Sequence, residues 1–278
     1  TILDSGVQMS DNGFCVGQMA ACGDAKRSVD SVYRLAWTGC RLVEIGLFNQ
    51  PAFDGFNPTD VASMKKALRH TGVSVNSIHS AFGPGTDIGS PDARDRAAAV
   101  LLQKQTVLLA ADFGARFIVV HPSTYGDQPE RRARIEAAAD SMAEMTEFAR
   151  AHGVTLALEN MLGTVIGNCE DELFEIIGRA DPEYCGICFD IGHANLLQRL
   201  PELARALLGR TVTTHLHDNN GKEDQHLYPG AATIDYATFG RIFRQTGCKA
   251  SLIIESRKNG TDDWESVEAN MLGLLGWN

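Results

Sequence analysis

Six apolar runs in this chain each end in a residue that can bind a metal ion, and they recur along most of its length. Successive ligand-type residues are 25 to 42 residues apart, which is about the length of one strand, one helix and two loops. In a (β/α)8 barrel the carboxyl ends of all strands converge on one mouth, so residues far apart in sequence can meet there. The pattern therefore predicts such a barrel, with a shared site formed by His79, His121, Glu159, Asp190, His215 and Glu255.

Apolar or β-branched runs alternate with helix-period segments from one end of the chain to the other. Seven strands are predicted, over residues 41–47, 73–79, 116–121, 154–159, 184–190, 211–217 and 249–255. Helices are predicted over residues 25–38, 59–71, 92–113, 130–152, 170–179, 201–208, 236–246 and 263–275. The first strand should lie in the N-terminal segment, near residues 6–10. Several helices are followed by a glycine suited to a left-handed turn, namely Gly39, Gly72, Gly114, Gly153 and Gly247.

The length of the chain favours a single domain. A chain of 278 residues is close to the roughly 250 residues that one such barrel uses, so we expect one domain over residues 1–278. A doubly wound open sheet would show the same alternation of strands and helices. It would, however, spread the strand ends along a line and leave the six ligand-type residues without a common focus.

The charge balance argues against general binding to polyanions. The formal net charge is −10, which gives no nonspecific attraction to nucleic acid. The dense basic stretch of Arg131, Arg132 and Arg134 opens a predicted helix and is expected to be a solvated helix face. No apolar run approaches the roughly 18 residues of a membrane span. We therefore expect neither a nucleic-acid nor a membrane partner, whereas a homo-oligomer is compatible with the sequence.

The seven cysteines are odd in number and follow no framework spacing. This usage is typical of a reducing compartment, so we expect a cytoplasmic protein. Cys185 and Cys188 have the spacing of a redox or zinc motif, but side chains three apart on a strand point to opposite faces. We therefore interpret this pair as barrel packing. The chain starts at Thr1 without Met, which is compatible with removal of a leader.

Alternation along the strands places small and apolar residues below the six ligands, so charge is expected only in the top layer of the barrel. Buried carboxylates and imidazoles that cluster without a cation repel each other or go unpaired. Two further pairs of a carboxylate and an imidazole strengthen the pattern, Asp190 with His193 and Asp224 with His226. Mixed oxygen and imidazole ligands suit Mn²⁺ or Zn²⁺, and also Co²⁺ or Mg²⁺.

Three more acidic or imidazole residues flank this set. His217 shares a strand face with His215, and Asp218 follows it, so both are expected to orient the metal ligands. Glu44, near the end of the second strand, is expected either to do the same or to belong to a structural hydrogen-bond network.

Several motifs at these positions resemble the xylose isomerase-like TIM barrel superfamily, which includes sugar epimerases and isomerases, hydroxypyruvate isomerase, inosose-processing enzymes and endonuclease IV. The matching stretches are Ala-Leu-Glu-Asn at 157–160, Cys-Phe-Asp-Ile-Gly-His-Ala-Asn at 188–195, His-Leu-His-Asp at 215–218, Asp-Gln-His at 224–226 with Gly230, and Ile-Glu at 254–255. They are specific as a set and span most of the chain.

The resemblance to the epimerase branch implies one divalent metal with four ligands, Glu159, Asp190, His215 and Glu255. Glu159 and Glu255 would also form the acid/base pair that moves a proton through a metal-stabilised enediolate. Hydroxyls or a phosphate of a small carbohydrate substrate would be bound by His79, His121, His193 and Lys222. This implies a divalent-metal-dependent isomerase or epimerase of a sugar, a sugar phosphate or a keto-polyol.

The same residues leave further functions open. In endonuclease IV nine ligands hold three zinc ions, and the resemblance extends to His79, His121, Glu159, Asp190, His193, His215, Asp224, His226 and Glu255. That branch implies zinc-dependent phosphodiester cleavage. However, its early DNA-contacting segments are not recognisable here. The segment after His226 reads Leu-Tyr-Pro-Gly-Ala-Ala at 227–232, where relatives usually carry Gly-Glu-Gly. With the acidic charge, these departures favour a small keto-sugar or polyol substrate. The same motifs are also compatible with a metal-dependent dehydratase or lyase and with a noncatalytic sugar-binding barrel.

Overall fold

The computed structural model describes residues 15–20, 25–47, 57–126, 130–256 and 263–277. Within these ranges eight parallel strands close into a barrel in chain order. The strands are β1 Val16–Ala20, β2 Leu42–Gly46, β3 Ser74–His79, β4 Phe117–Val120, β5 Thr155–Glu159, β6 Cys185–Asp190, β7 Thr211–Leu216 and β8 Ser251–Ile254. Strand β1 pairs with both β2 and β8, which closes the sheet. The predicted (β/α)8 barrel is confirmed.

The helices of the described ranges are α1 Ala25–Thr38, α2 Pro58–Thr71, α3 Ala93–Phe113, α4 Arg131–Ala151, α5 Glu170–Ile177, α6 Ile191–Leu196, α7 Leu200–Leu207, α8 Tyr236–Thr246 and α9 Trp264–Leu274. All except α6 lie where the hydrophobic period predicts them. The short α6 was not predicted. It begins at Asp190, whose carboxylate accepts a hydrogen bond from the backbone N–H of His193. Among these helices, none has the length and apolarity that a bilayer crossing demands.

The first strand of the barrel is Val16–Ala20, and the predicted segment 6–10 lies outside the described residues. The prediction passed over this strand because it contains Gly17 and a buried Gln18, which are atypical of a strand interior. Packing explains the glycine, since a Cβ on Gly17 would lie 2.7 Å from the carbonyl oxygen of Leu42 on β2. The prediction of where the first strand lies was therefore wrong.

Helix caps set the short connections between the helices and the next strands. The five predicted glycines all have positive φ. Gly72 after α2 and Gly114 after α3 return their N–H groups to carbonyls of the last helical turn. At the start of the same helices, the side chains of Asn57 and Asp92 accept hydrogen bonds from backbone N–H groups of the first turn.

Side chains alternate along the strands between two hydrophobic regions. Ile118 packs in the main core between the sheet and the helices, whereas Val119, Ala157 and Cys188 form a small separate cluster. Cys185 belongs to the main core. The two cysteines of the Cys-x-x-Cys sequence therefore lie in different regions, as expected for packing residues.

The basic stretch at the start of α4 is largely engaged in ion pairs, so the prediction of a solvated face was wrong. Arg131 Nε lies 2.6 Å from Glu172 on α5. Arg134 Nη1 lies 2.6 Å from Asp87 in the loop after β3. Arg132 alone of the three has a side chain that is more than half exposed. The arginines join α4 to its neighbours rather than forming a free basic surface.

Candidate metal centre

Strand ends carry the predicted ligands to the same end of the barrel. Glu159 and Asp190 are the last residues of β5 and β6, His215 is the last but one of β7, and Glu255 directly follows β8. One ligand atom from each of these four residues lies within 4.8 Å of those of the others, and all four side chains are buried. We call these four residues the central cluster. It contains the whole set that the family resemblance implies for one metal ion.

His215 stands in the middle of the central cluster, and its two ring nitrogens face different groups. Its Nδ1 lies 3.2 Å from Glu159 Oε1, 3.2 Å from Glu255 Oε2 and 3.8 Å from Asp190 Oδ2. Its Nε2 lies 2.9 Å from Glu44 Oε1 on β2. Three carboxylates of the cluster therefore converge on one nitrogen, and a fourth carboxylate contacts the other.

Two more histidines approach the second carboxylate oxygen of Glu159. Oε2 of Glu159 lies 3.3 Å from His79 Nε2 and 3.1 Å from His121 Nε2. This buried oxygen nevertheless has no hydrogen bond of good geometry to the described residues, so both contacts are close approaches without a hydrogen bond. Phe82, which the motifs did not indicate, stacks on His121 with ring centroids 4.6 Å apart and is 43% exposed. An aromatic residue in a loop has no distinctive spacing that would have predicted it.

The remaining predicted histidines and Asp224 form a third group beside Asp190. His226 Nε2 lies 3.0 Å from Asp224 Oδ2, and His193 Nε2 lies 3.9 Å from the same oxygen. His217 stacks on His226 with ring centroids 4.0 Å apart. The Nε2 of His217 also lies 3.2 Å from both carboxylate oxygens of Asp190. His217 thus contacts a member of the central cluster, which is the placement that an orienting residue requires.

Two predicted site residues have different surroundings. Asp218 is buried, and its carboxylate accepts backbone N–H groups from one loop, those of Gly230, Ala232, Thr233 and Ile234. Asp218 therefore shapes the loop that carries Asp224 and His226. Lys222 lies in the same loop and is the one predicted site residue that is exposed.

Burial and close charges shift the protonation of the central cluster. Burial raises the pKa of Glu159, but His215 and His121 outweigh this effect and hold the pKa well below its usual range. Burial also raises the pKa of Glu255, and the neighbouring carboxylates help to keep it raised despite His215 and His226. Burial lowers the pKa of His215, but the thiol and carboxylates around it raise it well above its usual range. Positive charge is therefore favoured where the carboxylates meet.

The donor atoms of these groups fit a divalent cation. Three carboxylates and one imidazole offer oxygen and nitrogen ligands around one point, and buried negative charges need a positive partner. Two buried oxygens, Glu159 Oε2 and Asp224 Oδ1, have no hydrogen-bond partner within the described ranges. Such a donor set suits Mn²⁺, Zn²⁺, Co²⁺ or Mg²⁺.

The family model described as a xylose isomerase-like TIM barrel matches residues 32–272. The chain belongs to this family. The matched range contains strands β2 to β8 and every residue of the central cluster. The resemblance that the motifs indicated is therefore confirmed.

The individual relatives and solved structures that resemble this chain share less than 30% of its sequence. The chain is 29% identical over 201 residues to an uncharacterized protein of Methanocaldococcus jannaschii, which covers 69% of this chain and 67% of that protein. A solved D-tagatose 3-epimerase-like protein has a TM-score of 0.81 at 23% identity, over 95% of this chain and 98% of that one. A solved L-ribulose 3-epimerase has a TM-score of 0.73 at 20% identity, over 92% of this chain and 86% of that one. These likenesses to solved structures support the fold.

Proposed function

We propose that this chain is a divalent-metal-dependent isomerase or epimerase of a sugar or a related keto-polyol. The observation that carries the proposal is the central cluster, in which two glutamates, an aspartate and a histidine bring ligand atoms within 4.8 Å of one another. The two similar solved structures are named as a 3-epimerase-like protein and a 3-epimerase, which supports the same class of reaction.

The metal ion would be held by Glu159, Asp190, His215 and Glu255. Mn²⁺ or Zn²⁺ is proposed first, and Co²⁺ or Mg²⁺ second, because the ligands combine carboxylate oxygens with one imidazole. When bound, the ion would polarise the substrate carbonyl and stabilise negative charge on its oxygen. Asp190 is held for this task by His217, which lies 3.2 Å from both of its oxygens.

Glu159 and Glu255 are the proposed proton carriers. Each places one carboxylate oxygen 3.2 Å from His215 Nδ1, so both act on the same small volume. One glutamate would remove the proton from the carbon beside the carbonyl, and the other would return a proton. Return from the opposite face gives an epimer, and return at the neighbouring carbon exchanges an aldose for a ketose.

The substrate would lie against the residues around the central cluster. His79, His121 and His193 are proposed to bind hydroxyl groups, since their ring nitrogens lie near the same carboxylates. The exposed part of Phe82 offers an apolar surface beside His121, which suits the C–H face of a sugar. Lys222, exposed on its loop, is proposed to reach the far end or a phosphate of a longer substrate.

The test is hydrogen exchange with solvent. The Mn²⁺-loaded protein is incubated in D2O with ketoses, beginning with D-tagatose and L-ribulose, and proton NMR follows both loss of the α-hydrogen and formation of an epimer. Glu159→Gln should lower exchange by about 10²- to 10⁴-fold, because glutamine cannot accept the proton. Asp112→Asn, which changes an exposed ion pair on α3, should leave exchange unchanged. Wild-type exchange in Glu159→Gln would refute the assigned role.

A second candidate is a trinuclear-zinc phosphodiesterase of the endonuclease IV type. The favouring observation is that the other two histidine groups lie next to the central cluster. His79 and His121 lie near Glu159, and His226 Nδ1 lies 3.9 Å from Glu255 Oε2. The net charge of −10 argues against it. Elemental analysis giving about three zinc ions per chain, together with cleavage of abasic-site DNA, would favour it over the isomerase.

Dehydratase or lyase chemistry is a third candidate because it starts from the same proton abstraction by the glutamate pair. Mass spectrometry of the product separates the cases. An isomerase or epimerase product keeps the mass of the substrate, a dehydratase product lacks one water, and a lyase gives two fragments.

We also propose that the protein works in the cytoplasm. The six cysteines within the described ranges are free thiols. Thiols that stay reduced are typical of a reducing compartment. Fractionation of the native cells, followed by immunoblotting, tests this location.

A further inference from the structure

Glu44 is a buried carboxylate inside the barrel that the proposed proton transfer does not use. It lies on β2 and is fully buried. One oxygen, Oε1, lies 2.9 Å from His215 Nε2, and the other accepts a 2.5 Å hydrogen bond from Ser77 Oγ on β3. Burying a carboxylate here lowers stability unless its partners compensate for lost hydration, and apolar residues of similar volume often stabilise a core at least as well. The position of Glu44 therefore calls for an explanation other than stability.

The contact with Glu44 occupies one ring nitrogen of His215 and leaves the other for the central cluster. Oε2 of Glu44 accepts the hydrogen bond from Ser77 Oγ, which leaves Oε1 as the acceptor that faces His215 Nε2. In this hydrogen bond the imidazole Nε2–H donates and the carboxylate oxygen accepts. With Nε2–H directed at Glu44, Nδ1 is the nitrogen left to face the carboxylates of the central cluster.

Further contacts fix both partners of this pair. Asn76 Nδ2 donates to Ser77 Oγ at 2.9 Å and to Thr213 Oγ1 at 3.0 Å, and these side chains are buried. The ring of His79 stacks on that of His215 with an interplanar angle of 13°. The Glu44 carboxylate is therefore held by β3 and the His215 ring is held by its neighbour, which leaves little freedom for either to turn.

We propose that Glu44 is a positioning residue that orients His215 so that Nδ1, and not Nε2, is its metal-binding atom. The inference rests on the proposed metal site. Histidine ligands commonly donate their second N–H to a carboxylate, and loss of such a partner typically weakens metal binding about 10- to 100-fold. The pair of Glu44 and His215 has this arrangement in the protein itself, whatever the identity of the sugar substrate.

The test measures metal binding without catalysis. Chelator-treated wild type, Glu44→Gln and Glu172→Gln are titrated with Mn²⁺ by calorimetry. Glu172 is the matched control because it is a partly buried, ion-paired glutamate outside the central cluster. The Kd of Glu44→Gln should rise about 10- to 100-fold, while that of Glu172→Gln should stay within about threefold of wild type. A wild-type Kd in folded Glu44→Gln would overturn the inference.

A second readout does not depend on how well the variant folds. Long-range ¹⁵N NMR of Zn²⁺-loaded wild type reports which ring nitrogen of His215 is protonated, and Nε2–H with a metal-bound Nδ1 is expected. A metal-bound Nε2 would refute the positioning role. Wild type that binds neither Mn²⁺ nor Zn²⁺ would instead refute the proposed metal-dependent function, so the two failures are distinct.

Discussion

Gly192 packs so closely against the imidazole of His217 that a Cβ on it would lie 2.0 Å from the ring Cε1 and 2.4 Å from Nε2. That Nε2 is the atom that contacts both oxygens of Asp190. Because residue 192 is glycine, the His217 ring has room to lie where it contacts Asp190, a proposed metal ligand.

Replacing Gly192 with alanine should displace the His217 ring. Overpacking of this kind costs about 1–3 kcal/mol of the free energy of unfolding, even though alanine favours a helix more than glycine does. Gly209→Ala is the control, since a Cβ there meets no atom within 4 Å. Urea unfolding should show a loss in Gly192→Ala alone, and Mn²⁺ binding should weaken with it. Equal stability of the two variants would contradict the close packing.

The sequence predicts the layout of the barrel because its signals are local and repeated. Alternation along each strand predicts which residues face the interior. Register shifts between β2 and β3 and between β6 and β7 interrupt this alternation, and Val75 packs in the main core. The central cluster follows from the barrel itself, since strand ends of a closed barrel must converge. Strand β1 was not predicted because Gly17 and Gln18 interrupt its apolar run. Gly17 is explained only by its close contact with the neighbouring strand β2, which the local sequence does not reveal.

Long-range polar contacts were beyond what the sequence could predict. The hydrogen bonds from Asn76 to Thr213 and from Ser77 to Glu44 join residues that have no common spacing. Likewise, the sequence predicts a solvated basic stretch at 131–134, because its acidic partners Glu172 and Asp87 lie far from it in the chain. Such pairings depend on the folded geometry and not on local pattern.

Asp218 should act through the loop that it organises. The Asp218 carboxylate accepts hydrogen bonds from backbone N–H groups that include those of Gly230 and Ile234. In asparagine an NH2 group would replace one of these oxygens, and it cannot accept such hydrogen bonds. We expect Asp218→Asn to lower the free energy of unfolding by about 3 kcal/mol and to expose the loop 219–235 to proteases. Asp235→Asn is the control, because asparagine caps a helix as well as aspartate does. Wild-type stability and protease resistance in Asp218→Asn would show that other contacts hold the loop.

Four cysteines should resist alkylation in the folded protein. Burial raises the pKa of Cys40 and Cys185 to about 12 and that of Cys248 to about 11, and it raises the pKa of Cys188 well above its usual range. At pH 8 these thiols are almost entirely protonated and therefore unreactive. Iodoacetamide treatment and peptide mass spectrometry should find them unmodified until urea is added. Labelling of Cys185 or Cys188 before unfolding, or a disulfide between them, would contradict a packing role.

Glu255→Gln should separate metal binding from the stability of the metal-free protein. Burial and the nearby carboxylates raise the pKa of Glu255, so its charged form is disfavoured in the fold and a neutral side chain should raise the metal-free Tm at pH 7 by a few degrees. Wild type at about 100-fold excess of Mn²⁺ over Kd should gain about 5–10 °C, whereas Glu255→Gln should gain less than half of this. Glu172→Gln should lose some stability but keep the full gain, because it breaks an ion pair outside the central cluster. A full Mn²⁺ gain in Glu255→Gln would remove Glu255 from the ligand set.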